Sequence, residues 1–335
     1  MDTLPLLPLA WFLVIGFGVL MYVLLDGFVL GIGILSPFAR DEAQRDLMIN
    51  TAAPVWDGNE TWLVLGGAGL MTAFPPVYAE LLSALYLPVL LMVMALVFRG
   101  VAFEYRFKAR RSRPLWGVAF AAGSILASFA QGVILGAVVQ GIPLQDGHFA
   151  GGAFTWFSPF TMLTGVALVA GYAMLGSTWI VLKTEGQTHQ QARELTRPLA
   201  MLVLAFMGLV SAWLPTLQSH VMERWFDAGR FVWLSPLPML AVLTGWGLWR
   251  AAGDAHSDAR PFALAMLLFV LGFVGLVIGM WPYILPPTWT LWQAAAPASS
   301  QRFAMIGLVL VLPLVIGYTA WSYHVFRGKV RTGYH

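Results

Sequence analysis

The chain contains no cysteine. That absence excludes a disulfide framework, a cysteinyl iron–sulfur cluster, a thiolate-ligated haem and a thiol nucleophile. Charge is scarce as well, since Asp, Glu, Lys and Arg make up 10% of the 335 residues, against about 25% in a soluble domain. No linker, low-complexity tract or evident internal repeat divides the sequence, so it reads as one domain. Histidine is thin: His148, His189, His256 and His335 lie in connecting segments or the tail, and His220 and His324 lie at the ends of apolar segments. None stands near the middle of one. Bis-histidine haem and intramembrane copper ligation are therefore poorly supported, with methionines such as Met162 and Met174 the remaining soft donors.

What the chain has instead is apolar surface. Hydrophobic residues account for 59% and the mean hydropathy is +0.75, which a water-soluble fold would have to leave exposed. The fold class is all-α integral membrane. A window of about 19 residues, enough to cross ~30 Å of hydrocarbon, finds nine spans, at 9–35, 55–74, 79–101, 115–140, 159–182, 198–218, 231–249, 261–284 and 302–326. All 19 Lys and Arg except Arg224, Arg230 and Arg302 fall at alternate connections, at Arg99 or in the C-terminal tail. By the positive-inside rule the N-terminus is outside and the C-terminus cytoplasmic, and adding or dropping a span would mix basic and neutral loops. The first nine residues hold Asp2 and no basic residue, so they do not read as the n-region of a cleaved signal peptide. The net charge of +3 serves topology, and nucleic-acid binding is not expected.

Small residues one helical turn apart, Gly27 with Gly31 and Gly132 with Gly136, predict close helix approach, most simply ordinary packing within the bundle. Several of the 15 tryptophans stand near span ends (Trp116, Trp179, Trp225, Trp233, Trp249, Trp281 and Trp289) and read mostly as interfacial anchors.

Charge inside a bilayer is costly, so the acids within or beside spans are the candidate site. Asp26 lies about two-thirds along the first span. The second opens through Trp56-Asp57-Gly58-Asn59-Glu60-Thr61-Trp62, where Asp57 and Glu60, three apart, share a helix face. One reading makes Asp57 a helix cap or a complement to the helix dipole. The other makes Asp57, Glu60 and Asp26 members of a proton relay, because carboxylates in low dielectric can exchange protons near neutral pH. Trp56, Asn59 and Arg99 are expected to serve structure or an interface. Glu80 reads as a solvated helix start. The run from Phe98 to Lys108 mixes Arg99, Glu104, Arg106 and Lys108 with aromatics, and suits either an ion-pair network or a solvated loop.

Asp26-Gly27-Phe28 with Gly31-Ile32-Gly33, the Ala53-Pro54-Val55-Trp56-Asp57-Gly58-Asn59-Glu60 stretch with Trp62, the Phe98-to-Arg106 run and Tyr318-Thr319-Ala320-Trp321 together resemble subunit II of cytochrome bd-type quinol oxidases, closest in texture to the cyanide-insensitive branch. The likeness spans essentially the whole chain, and WDGNE is its specific part. It implies a subunit that binds no haem and packs in the bacterial inner membrane, among lipid, against a subunit I carrying haem b, haem d (or a third haem b) and the quinol site. It also implies a share in proton uptake from the cytoplasm, room for a structural quinone in this subunit, and room for a small single-span subunit. By resemblance, Asp57 matches the acid of the inner proton path, Glu104 and Lys108 match polar positions nearer its mouth, and Asp26 matches the first acid of a helix-one pair whose second member is Val29 here. The other class that buried acids in glycine-rich helices suit is a stand-alone proton-coupled secondary transporter, though the inverted repeats common to that class are not found.

Overall fold

The computed structural model describes residues 6–254 and 257–330; Asp2, His256, Arg331 and His335 lie outside them. The described chain is all-α apart from two small hairpins. In order it runs α1 (Leu6–Leu35), a 3-10 turn (Ser36–Phe38), α2 (Glu42–Asn50), α3 (Trp56–Ala73), α4 (Pro75–Lys108), α5 (Arg113–Gln140), β1 (Leu144–Gln145), β2 (His148–Phe149), α6 (Pro159–Lys183), α7 (Gly186–Leu217), α8 (Ser219–Phe226), α9 (Ala228–Leu234), α10 (Pro236–Ala251), α11 (Ala259–Met280), β3 (Tyr283–Leu285), β4 (Trp289–Thr290) and α12 (Ala298–Val325). Among the described residues, eight helical segments are long and apolar enough to cross a membrane. The expected second span is helix α3, whose 18 residues would rise ~27 Å. Its polar opening turns, with Asp57, Asn59 and Glu60, make it less apolar than the rest.

Prolines account for most departures from the expected boundaries. Pro198 was a natural helix start, yet α7 continues through it from Gly186. Pro236 opens α10 and breaks the expected 231–249 segment at Ser235. Pro282 cannot extend α11, so Tyr283–Leu285 form a strand where helix was expected. Leu85, three residues before Pro88, has φ −118° and ψ 15°, a kink of the kind proline produces within α4.

Helix α1 is the hub. From Leu24 to Ser36 every residue is buried, because α1 is flanked by α3, α5 and α6. A Cβ on Gly31 would collide with the backbone of Tyr172 and Gly176 on α6, and Gly132 is equally tight against Thr164 and Gly165. The glycine spacings thus serve packing within this chain. Trp179 is not an interfacial anchor: it is buried, stacks on Phe28 with ring centroids 4.0 Å apart, and donates to the Thr51 carbonyl at 3.3 Å.

The β1–β2 hairpin turns on Asp146-Gly147, both at positive φ, the backbone that Asp-Gly turns favour. Glu80 is not a solvated helix start. Its carboxylate accepts from the Phe149 amide at 2.6 Å and sits 3.1 Å from the His148 ring nitrogen, clasping the hairpin to α4.

Candidate functional site

Asp26 stands in the buried half of α1 with no solvent exposure, and an enclosed carboxylate needs a cation or donors. Helix α4 supplies Arg99, itself almost wholly buried, whose Nη1 donates to Asp26 Oδ1 at 2.8 Å while its Nη2 donates to Glu60 Oε1 on α3. One guanidinium thus bridges two carboxylates from two other helices. With all three ionised the cluster carries one net negative charge, so a single proton makes it neutral. The carboxylates are not equivalent: the Glu60 side chain is 33% exposed, whereas Asp26 is sealed in.

Asn59 fixes the geometry around them. Its amide donates to the Leu25 carbonyl at 2.8 Å, and its Oδ1 accepts from the Tyr323 hydroxyl at 3.0 Å, tying α3 to α1 and α12 next to the cluster. Trp56 stacks on Phe103 at 5.2 Å. Tyr22 lies one turn before Asp26 on α1; its hydroxyl accepts from Gln131 Nε2 on α5 at 2.8 Å, and Gln131 Oε1 accepts from the Tyr172 hydroxyl on α6 at 2.8 Å.

The other expected residues, Asp57, Glu104 and Lys108, make no hydrogen bond or ion pair with this cluster. Asp57 occupies the first turn of α3 on an exposed face; the cap position is Val55, with no side-chain cap bond, so Asp57 is not a hydrogen-bonding N-cap. Glu104 and Lys108 pair with each other at 3.5 Å near the end of α4, with side chains 52% and 75% exposed. The basic run does contain a buried network, centred on Arg106. This residue donates to Glu42 at 2.5 Å and to Asp46 at 2.9 Å on α2, and Arg113 also pairs with Asp46. The Arg106 hydrogen bond holds the Glu42 carboxyl below the usual carboxylate range. Sequence reasoning passed over Glu42, Asp46, Tyr22 and Gln131. The signal for α2 was present: Asp41 caps it, accepting from the Gln44 amide at 2.8 Å, and acids recur one turn apart behind that cap. Among the described residues no three His, Asp or Glu side chains gather as a metal site.

The family model for cytochrome bd terminal oxidase subunit II matches residues 7–326. The chain belongs to this family. Relatives include the cytochrome bd-I ubiquinol oxidase subunit 2 of Escherichia coli K12, 28% identical with 98% of this chain and 97% of that protein covered. The cytochrome bd ubiquinol oxidase subunit 2 of Bacillus subtilis is also 28% identical, with 96% of each covered. The fold matches a chain in the structure of the bd oxidase from Geobacillus thermodenitrificans at a TM-score of 0.81, with 15% identity and 96% and 98% of the two chains covered. As a cytochrome bd subunit II with eight long apolar helical segments among its described residues, the protein is a multi-pass component of a terminal oxidase in the bacterial inner membrane.

Proposed function

We propose that this chain is the haem-free subunit of a quinol:O2 oxidoreductase, that it grips the haem-bearing subunit I within the bilayer, and that it passes cytoplasmic protons toward oxygen reduction to water. In this reading the chain crosses the membrane nine times, α3 included, with its N-terminus outside. The bridged Asp26–Arg99–Glu60 cluster carries the proposal, as a buried set of acids one proton from neutrality with one member open to the surface. Asp57 shares the helix and the exposed side of its opening turns, and Glu104 and Lys108 offer proton-exchanging groups nearer the aqueous boundary.

The placement of the described histidines supports a haem-free reading: His148 lies in a hairpin, His189 in the first turn of α7, His220 in the short α8 and His324 in the last turn of α12, none of them in the middle of a long apolar helix. The haems, and the quinol that reduces them, belong in this reading to the partner. A structural quinone would need a pocket in the apolar helix faces, and no step is assigned to it.

Helix α12 supports the partner assignment. It packs mainly on α3 and otherwise presents apolar side chains outward, including Phe303 at 82% and Leu314 at 72% exposure. Helices α3 and α4 also carry exposed apolar residues, among them Val64 and Val97. Lipid solvates such a face, and a second membrane subunit can pack on it.

The test is oxygen consumption per haem in the purified complex. Glu60→Gln and Asp26→Asn should each assemble with haem yet turn over at least tenfold more slowly. Turnover near wild type in both would contradict the proton role.

A further inference from the structure

The Asp26–Arg99–Glu60 cluster has an arm that the proton reading does not use. Tyr172 on α6 donates to Gln131 Oε1, and Gln131 Nε2 on α5 donates to the Tyr22 hydroxyl on α1, both at 2.8 Å. Tyr22 therefore accepts through its oxygen and keeps its own proton to give. Asp26 Oδ1 accepts from Arg99, whereas its Oδ2 is fully enclosed without a hydrogen-bond donor and has the Tyr22 hydroxyl as an electrostatic neighbour. The arm is not a proton conductor, because a primary amide passes a proton on only through its imidic tautomer. Its chemistry is to orient.

Building on the proton-uptake reading, we propose that Gln131, backed by Tyr172, is a positioning residue that turns the Tyr22 hydroxyl toward Asp26 and so holds Asp26 as the permanent anion beside Arg99, leaving Glu60 as the carboxylate of the cluster that takes up and releases the proton. The groups facing Asp26 are Arg99 from α4, Glu60 from α3, Tyr22 from its own helix, Tyr172 from α6 and Tyr323 from α12. Those facing Glu60 are Arg99, Asp26 and Asp57. Asp26 thus meets a full cation in a sealed site, with the Tyr22 hydroxyl one helical turn away on α1. Glu60 meets the same cation through Oε1, and its side chain is 33% exposed. When Glu60 takes a proton at that carboxylate the cluster passes from one net negative charge to none, and release restores the charge. Asp26 and Arg99 keep their charges throughout.

Redox-difference infrared spectroscopy of the purified oxidase complex, in the C=O region of protonated carboxyl groups, tests this assignment. The wild type should show such a band that is lost in Glu60→Gln. Tyr22→Phe removes only the hydroxyl and should add a second carboxyl band, which disappears when Asp26→Asn is combined with it. Gln131→Met should reproduce that second band if the phenylalanine variant assembles poorly. A Tyr22→Phe spectrum identical to wild type would overturn the proposal, as would a wild type in which no such band is lost in Glu60→Gln. Normal oxygen consumption in Glu60→Gln would refute the proton reading alone, because the Asp26 band in Tyr22→Phe does not depend on turnover.

Discussion

A single side chain, Arg99, decides how the acids of this subunit relate to one another. Its sequence context offered a choice between a topogenic residue and a network, and what settled the matter, the arrival of α1 and α3 on either side of it, is tertiary information. Asp26 and Glu60 were legible as candidates because a carboxylate in an apolar helix is costly without a purpose. Their bridge was not, since they lie 34 residues apart in sequence and on different helices. Losing the guanidinium would strand two carboxylates, a penalty of about 3–5 kcal/mol for a buried pair. Asp57 poses a sharper question, being exposed and without a cap bond. Asp57→Asn keeps the shape and removes the titrating proton. If Asp57 lies on the proton path, the variant should assemble with a full haem complement and lose most of its oxygen consumption per haem; a residue that merely complements the helix dipole would leave turnover intact.

At the scale of elements, the apolar helices followed the hydropathy pattern closely, and the departures follow prolines. A window average does not see that Pro282 ends α11 or that Pro198 is tolerated inside α7. The short amphipathic α2 was invisible to a search for spans, yet it closes the network around Arg106. Two clasps at this end of the bundle depend on carboxylates. Glu42 is held low by its Arg106 hydrogen bond, with the charges of Arg106 and Arg45 adding to it. Burial pushes the Asp258 carboxyl up, but the Lys329 hydrogen bond at 2.6 Å and the charges of His189, Lys329 and Arg193 outweigh it, so its range is lowered as well. Lys183 reinforces the second clasp by donating to the Phe326 carbonyl at 2.5 Å. A depressed carboxylate stabilises the fold above its unfolded range and loses that contribution as pH falls through its folded value. Hydrogen-exchange protection in α2 and in residues 326–330, taken relative to the intrinsic exchange rate at each pH, should therefore be constant near neutral pH and fall only below the ordinary carboxylate range. In Glu42→Gln, α2 should exchange faster at neutral pH already; equal protection in variant and wild type would contradict the role given to Arg106 and Glu42.

Over the whole molecule, membrane class and helical architecture were written in composition, and family in a few residues around WDGNE. The functional asymmetry was not, because it depends on which faces the fold leaves open. The second half of α1 is enclosed, α12 lies against α3 with its apolar side outward, and Glu60 is the member of the buried cluster nearest the open surface. That arrangement suits a subunit that delivers protons across an interface to redox chemistry housed in its neighbour. The most direct test follows proton uptake itself. A pH-sensitive dye monitors the fully reduced complex as it reacts with oxygen, in wild type and in Glu60→Gln. The account expects oxygen to bind at the same rate in both, with proton uptake in the variant slowed at least tenfold. Uptake as fast and as complete in Glu60→Gln as in wild type would contradict it.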